Sequence, residues 1–167
     1  MFIDLTNESI KRFARKAGIL YISKTAYRPI QLAFNAKRDE ILYRLGNIVK
    51  NRNDTRIKSG DLELLHLIDL FINDTLDQFN QNEDISSISI QTKNITEYMF
   101  PHTTFKRNIV ERNQQLNQLK LSSNFINNLH LYIENYIHYI LVKAHSIMKL
   151  ESKKYSDLGN IITRLIN

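Results

Sequence analysis

Two long stretches of this chain repeat apolar residues at helical intervals, and this feature constrains the fold more than any other. In residues 23–52 the repeating positions are Tyr27, Ile30, Phe34, Ile41, Leu45 and Ile48. In the second stretch they are Ile126, Leu129, Ile133, Tyr136, Ile137, Ile140, Ala144 and Ile147. The spacing predicts two helices of about 27 residues, each about 40 Å long. Pro29 falls in the first turns of its helix, where proline is tolerated.

Shorter helices are predicted on both sides of each long one. In the first half, Thr6 or Asn7 caps a helix that ends at Gly18, and another helix runs from near Ser59 to near Phe79. In the second half, a helix runs from Phe105 to about Leu116, and Ser156 caps a last one. Extended links are predicted at 20–23 and 119–123, and turns at 51–57 and 153–155.

The order short, long, short therefore occurs twice, with Ser23 and Ser122 at corresponding places. Residues 80–97 lose helical periodicity and are predicted to link a first half, 1–79, to a second half, 98–167. Two short helices cannot cover the whole apolar stripe of a 40 Å helix, so each long helix needs the other one crossing it. We expect an all-α fold in which the two halves form an intramolecular pseudo-dimer.

The charges are divided into blocks along the chain. Residues 1–60 carry 13 Lys and Arg against 5 Asp and Glu, residues 61–100 carry 1 against 8, and residues 101–167 carry 9 against 4. The acidic block includes Asp61, Glu63, Asp69, Asp74 and Asp77, which either form a solvated helix face or dock a basic partner. The basic blocks, with a pI near 9.5, favour a polyanionic partner, and nucleic acid is the polyanion we expect.

Several classes of function are disfavoured by the residues present. The chain has no cysteine, which excludes thiol catalysis and disulfides. Glu134 and His138 have the spacing of half a metal site, with His145 further along, but no second half is found. Tyr132, Tyr136 and Tyr139 are spaced for packing rather than for stacking on bases. We expect no enzyme activity, cofactor, metal or small-molecule substrate, and neither a signal peptide nor a membrane span.

The first short helix carries a concentrated basic face. The segment 10–23, IKRFARKAGILYIS, places Lys11, Arg12, Arg15 and Lys16 on one side of the helix. The residues on the other side are Ile10, Phe13, Ala14 and Ala17. One face is therefore predicted to pack on the core while the other meets anions.

The same segment resembles the first helix and first loop of core histone four. Thr55, Arg56 and Ile57, followed by Lys58, Ser59 and Asp61, are similar to the histone second loop and the start of its third helix. In the second half the residues that look like core histone three are Phe105, Arg107, Glu111, Leu119, Lys120, Ser122 and Ser123. This half also aligns with core histone two B. Two histone folds in one chain resemble the histone doublets of giant DNA viruses.

The resemblance implies an antiparallel pair of histone folds that binds double-stranded DNA with little sequence preference. The first loop of each half would lie beside the second loop of the other, grouping 20–24 with 152–155 and 120–123 with 50–58. Arg56 would enter the minor groove, with Thr55 holding it. The DNA-binding residues that we expect are Lys11, Arg12, Arg15, Lys16, Lys24, Lys50, Arg52, Thr55, Arg56, Lys58, Lys106, Arg107, Lys120, Ser122, Lys153 and Lys154.

Partners and location follow from the same resemblance. We expect assembly with other histones or a second histone doublet, in a nucleosome-like particle that compacts DNA. The expected location is DNA-associated, in a virion, viral factory, nucleoid or nucleus, and not secreted. The alternative is a histone-fold interaction subunit, such as a transcription-factor or assembly module, with weak DNA contact.

Overall fold

The computed structural model describes residues 5–66 and 98–167. In the first range the elements are α1 (Asn7–Lys16), α2 (Lys24–Asn51), β1 (Arg56–Ile57) and α3, which is helical over the described residues 59–66. In the second range they are α4 (His102–Leu116), β2 (Lys120–Leu121), α5 (Ser123–Leu150), a 3₁₀ turn (Tyr155–Asp157) and α6 (Leu158–Ile166). Within these ranges the fold is all-α apart from two short strands.

Both long helices have 28 residues and begin after the predicted serines. The Ser23 hydroxyl accepts a hydrogen bond from the backbone N–H of Thr25 at 3.4 Å, and that of Ser122 accepts one from Phe125 at 3.1 Å. These bonds satisfy N–H groups that have no partner inside the helix. Thr6 caps α1 in the same way, through the N–H of Ser9 at 3.2 Å. The predicted cap of α1 is confirmed at Thr6, and the structure adds Ser23 and Ser122 as the caps of the two long helices.

Three local predictions are wrong. Helix α4 begins at His102 rather than Phe105, because Pro101 stands at its N-cap and its carbonyl accepts the Phe105 N–H at 2.9 Å. Ser156 caps nothing and lies inside the 3₁₀ turn, where the Asp157 carboxylate accepts the Lys154 N–H at 3.0 Å. The predicted turn 51–57 ends before Arg56, because Arg56 and Ile57 form a strand and Ile57 is fully buried.

Leu62 and Leu65 of helix α3 are buried in the core. The predicted end of this helix near Phe79, the acidic residues beyond Glu63 and the linker 80–97 lie outside the described residues.

The two halves share one hydrophobic core. Helix α2 contacts α5, and α6 packs against both long helices, so the last element of the second half lies on the first half. The ring of Phe34 on α2 contacts those of Phe100 and Phe105 edge-on, with ring centres 5.6 and 6.3 Å away. Aromatic rings of the second half therefore pack on helix α2 of the first half.

A close approach between α6 and the start of α2 fixes one end of the molecule. A Cβ atom on Gly159 would lie 2.5 Å from the Thr25 carbonyl oxygen, so only glycine fits there without movement. The Thr25 hydroxyl donates a hydrogen bond to the Ser156 carbonyl at 3.2 Å. The beginnings of α2 and α6 are thereby held together.

Candidate nucleic-acid interface

Strands β1 and β2 join the second loop of the first half to the first loop of the second half. The strands are parallel and place Arg56 opposite Lys120 and Ile57 opposite Leu121. The N–H of Lys120 donates to the Thr55 carbonyl at 2.9 Å. Because opposed residues of paired strands project to the same face, and Ile57 points into the core, Arg56 and Lys120 both extend into solvent.

These two cations share a groove with a third. The groove has a volume of about 520 Å³ and is lined by Arg56 and Lys120 from the strands and by Lys106 from α4. Amide side chains also line it, including Gln114 and Gln118, whereas no carboxylate among the described residues does. Its charge and hydrogen-bond donors suit an anion. We call Arg56, Lys106 and Lys120 the cationic groove.

Arg52 occupies a different environment from these three residues. Its guanidinium donates to the buried carboxylate of Asp61 at 2.7 and 3.3 Å and to Asp54 at 3.3 Å. Burial alone would raise the pKa of Asp61, but the hydrogen bonds from Arg52 and from the Lys58 N–H lower it below its ordinary value. Arg52 is therefore engaged within the protein. Asp61 is part of the interior rather than of a solvated acidic face.

Two other predicted site residues act through local structure. The Ser122 hydroxyl caps α5, as described above. Thr55 is exposed and uses its backbone: its carbonyl accepts the Lys120 N–H, and its own N–H donates to Asp54 at 2.8 Å. Together they shape the loops that present Arg56 and Lys120. Lys50 and Lys58 are exposed at this same end of the molecule.

The basic residues of α1 lie apart from the cationic groove. Ile10, Phe13 and Ala14 are buried as predicted, which leaves Lys11, Arg15 and Lys16 exposed on the other side. The Nζ atom of Lys11 lies 3.5 Å from the carboxylate Oε1 of Glu8. Lys16 lies near His138 of α5: burial and this lysine together lower the pKa of His138.

Arg12 is half-buried, and its Nε atom is enclosed without a hydrogen-bond partner among the described residues. Arg107 is exposed on α4 and does not line the cationic groove. Of the sixteen expected DNA-binding residues, Arg56, Lys106 and Lys120 line the groove, and the others lie elsewhere on the described helices and loops.

The opposite end of the molecule brings together the other two loops. The ring of Tyr21 meets that of Tyr155 edge-on, with centres 6.0 Å apart. This contact places the link 20–24 beside the turn 152–155, as predicted. Lys24, Lys153 and Lys154 are all exposed at this end.

A buried polar cluster lies at the start of α4, and the patterns in the sequence did not predict it. The Nδ1 atoms of His102 and His130 share a hydrogen bond of 2.8 Å, and the ring of Tyr98 stacks on His130 at 3.8 Å. The Glu134 carboxylate lies 3.2 Å from Nε2 of His130 and accepts the Phe100 N–H at 3.1 Å. Burial lowers the pKa of His102, and the charges of His130 and Lys106 lower it further. The cluster fastens the chain before α4 to α5.

The spacing of Glu134 and His138 predicts half a metal site, but the side chain that lies next to the Glu134 carboxylate in the structure is His130, one helical turn before it. The residues described contain no group of three or more His, Asp or Glu side chains placed to hold a metal ion. Tyr132 and Tyr136 are buried in the core, in agreement with the packing role predicted for them.

A second missed cluster joins the middle of α2 to α4. Arg112 donates two hydrogen bonds to the Asp39 carboxylate, at 2.9 and 3.0 Å, and Arg38 donates a third at 2.9 Å. Burial raises the pKa of Asp39, but these bonds outweigh it and hold the pKa below its ordinary value. The helical pattern of apolar residues contains no signal for such a pair.

Comparisons with protein-family models, with curated proteins and with solved structures found no significant match to this chain. None of the helices in the described ranges combines the length and the apolar character needed to cross a bilayer.

Proposed function

We propose that this protein is a pair of histone folds in one chain and that it binds double-stranded DNA without sequence preference, as a packaging protein. The proposed fold is supported by the resemblance of the sequence to core histones and by the arrangement of the helices. Each half has a 28-residue helix capped by a serine. The first loop of each half lies beside the second loop of the other.

The cationic groove is the observation that carries the DNA-binding part. Arg56 and Lys120 come from different halves, are brought into register by β1 and β2, and are joined by Lys106. A phosphate in this groove would lie among three cationic residues, and no carboxylate of the described residues lines it. Contacts to phosphates carry no sequence information, so binding is expected to be similar on unrelated duplexes.

Titration of two duplexes of unrelated sequence at several salt concentrations tests this proposal. We expect similar affinities and a log–log salt slope of about −0.9 for each phosphate neutralised. The variant Arg56→Ala/Lys120→Ala should bind both duplexes more weakly. The magnitude of its salt slope should fall by about 0.9 for each charge removed. Since both side chains are exposed, its unfolding midpoint should remain that of the wild type.

Arg28→Ala/Arg44→Ala is the matched control, because it removes two arginines of α2 that do not line the groove. An affinity that does not change with salt would contradict DNA binding through phosphates. If the two double variants lose the same amount of DNA affinity, the cationic groove is not part of the DNA interface.

Nuclease digestion of the complex separates packaging from the alternative of an interaction subunit. Packaging should protect a DNA fragment of defined length, because the duplex follows a fixed path over the protein. Binding without a protected fragment would favour the transcription-factor or assembly module. Native mass measurement of the same complex reports whether a second copy or other histones are required.

A further inference from the structure

The end of the molecule opposite the cationic groove presents apolar side chains to solvent. Gly18 has a φ of +82°, which turns the chain out of α1, and the N–H of Ile19 donates to the Ala14 carbonyl at 2.9 Å. Ile19 is buried and Ile22 packs against the core, whereas Leu20 between them is 92% exposed. The loop is therefore anchored on both sides of a protruding leucine.

Other apolar groups lie at the same end. Tyr21 is 61% exposed and is supported edge-on by Tyr155. Leu150, the last residue of α5, is 85% exposed. Three large apolar side chains thus lie at one end of the molecule, around the junction of two loops.

The charges around these side chains are positive. Lys24, Lys153 and Lys154 are exposed and make no ion pair with the described residues. The two acids of the turn are already engaged, since Glu151 pairs with Arg164 at 3.2 Å and Asp157 accepts the Lys154 N–H at 3.0 Å. An anionic partner therefore fits this end.

We propose that Leu20 is an apolar wedge that inserts between stacked bases from the minor groove of a DNA duplex, while the neighbouring lysines hold the phosphates. This inference rests on the proposed function and assigns the two ends different modes of contact. An apolar side chain that protrudes from an anchored loop among cations is the combination that kinks a duplex by partial unstacking. A second copy of the chain fits poorly, because it would bring the lysines of two molecules together, and three side chains cover far less than a stable dimer interface.

The test uses the full-length protein with duplexes that carry 2-aminopurine in their central base pairs. The fluorescence of this base analogue rises when it is unstacked. Wild-type protein should raise the fluorescence, and Leu20→Ala should lose most of that rise. Its affinity should change less than about tenfold, because the cost of unstacking is lost together with the wedge contact. Leu32→Ala is the matched control, since Leu32 is also exposed but lies within α2. It should behave as the wild type.

The possible failures can be told apart. If wild-type protein binds no duplex, both the proposed function and the wedge are overturned. If it binds but Leu20→Ala leaves the fluorescence rise intact, the wedge alone is overturned. The wedge is also overturned if Leu20→Ala changes the oligomeric state, or binding to phosphatidylserine vesicles, while DNA unstacking stays the same.

Discussion

Arg52 and Asp61 show how one contact changes the role of a residue. By its position in a basic loop, Arg52 is a candidate phosphate ligand, yet it donates to a carboxylate whose residue is only 5% exposed. Removing Arg52 leaves the buried carboxylate of Asp61 without its charged partner, and removing Asp61 leaves Arg52 paired with Asp54 alone, at the base of the loop that carries Arg56. We therefore assign Arg52 to positioning the loop, while Arg56 remains the candidate ligand.

Asp61→Asn should destabilise the protein at neutral pH, by about 1–3 kcal/mol, because it removes the charged acceptor of Arg52 and of the Lys58 N–H. The folded-state pKa of Asp61 is lowered from the ordinary 3.8. The stabilisation is therefore present above that value and is lost as the pH falls through the folded pKa. Urea unfolding of both proteins across this range measures the difference.

Glu63→Gln is the matched control, since Glu63 is exposed two residues away on the same helix. Its effect should be small at every pH. If the free energies of unfolding of Asp61→Asn and the wild type differ by the same amount at every pH, including pH values well below 3.8, then an ionised Asp61 is not the source of the stabilisation.

At the scale of elements, the contact between α6 and α2 depends on one missing methyl group. The backbone carbonyl of Thr25 occupies the space that a side chain at Gly159 would need. A backbone atom at the end of a helix has little freedom to move aside. Helix α6 therefore lies close enough to α2 for Thr25 to bond to Ser156.

Gly159→Ala should destabilise the protein by about 1–3 kcal/mol, because the new methyl group overpacks this contact although alanine favours a helix. Thermal unfolding followed by circular dichroism measures the loss. Gly60→Ala is the control, since a Cβ atom there meets nothing within 4 Å. It should be neutral or slightly stabilising. Equal effects of the two substitutions would mean that the close approach is not tight in solution.

At the scale of the whole molecule, neither half encloses its own core. Phe34 of the first half is packed by Phe100 and Phe105 of the second, and α6 lies across α2. The Asp39–Arg112 pair and the β1–β2 pairing also cross between the halves. Most interactions that would stabilise a separate half are therefore made with the other.

Fragments 1–97 and 98–167 should each fail to fold alone, and mixing them should recover helical structure. The physical reason is that each separated long helix exposes the apolar face buried by its partner. Circular dichroism and urea titration of each fragment and of the mixture measure this, with the intact chain as the control. A cooperative unfolding transition in either isolated fragment would show two independent domains instead.

Much of the fold was predictable because helical signals are local. Apolar spacing identified α2 and α5 to within a few residues at their ends, and the residue type at Thr6 predicted the cap of α1. The β1–β2 pair could not be predicted in this way, because two-residue strands carry no periodicity. The start of α4 was missed because His102 and its neighbours are polar, and their contacts are with α5.

The candidate site was predictable in composition but not in arrangement. The histone resemblance placed Arg56, Lys106 and Lys120 among sixteen candidates without separating them from Arg52. The difference between these residues lies in their neighbours: Arg52 has Asp61, whereas the other three share a groove without a carboxylate among the described residues. Such neighbours are set by packing between distant segments.

The sequence by itself determined the two long helices, the apolar faces that they bury and the cap of α1 at Thr6, because each of these depends on residues within a few turns. Only the tertiary structure decided that Arg56 opposes Lys120, that Arg52 turns inward to Asp61 and that Leu20 is left in solvent. These features arise where segments far apart in the chain meet. Their energies depend on distance and burial, which local patterns of residues do not contain.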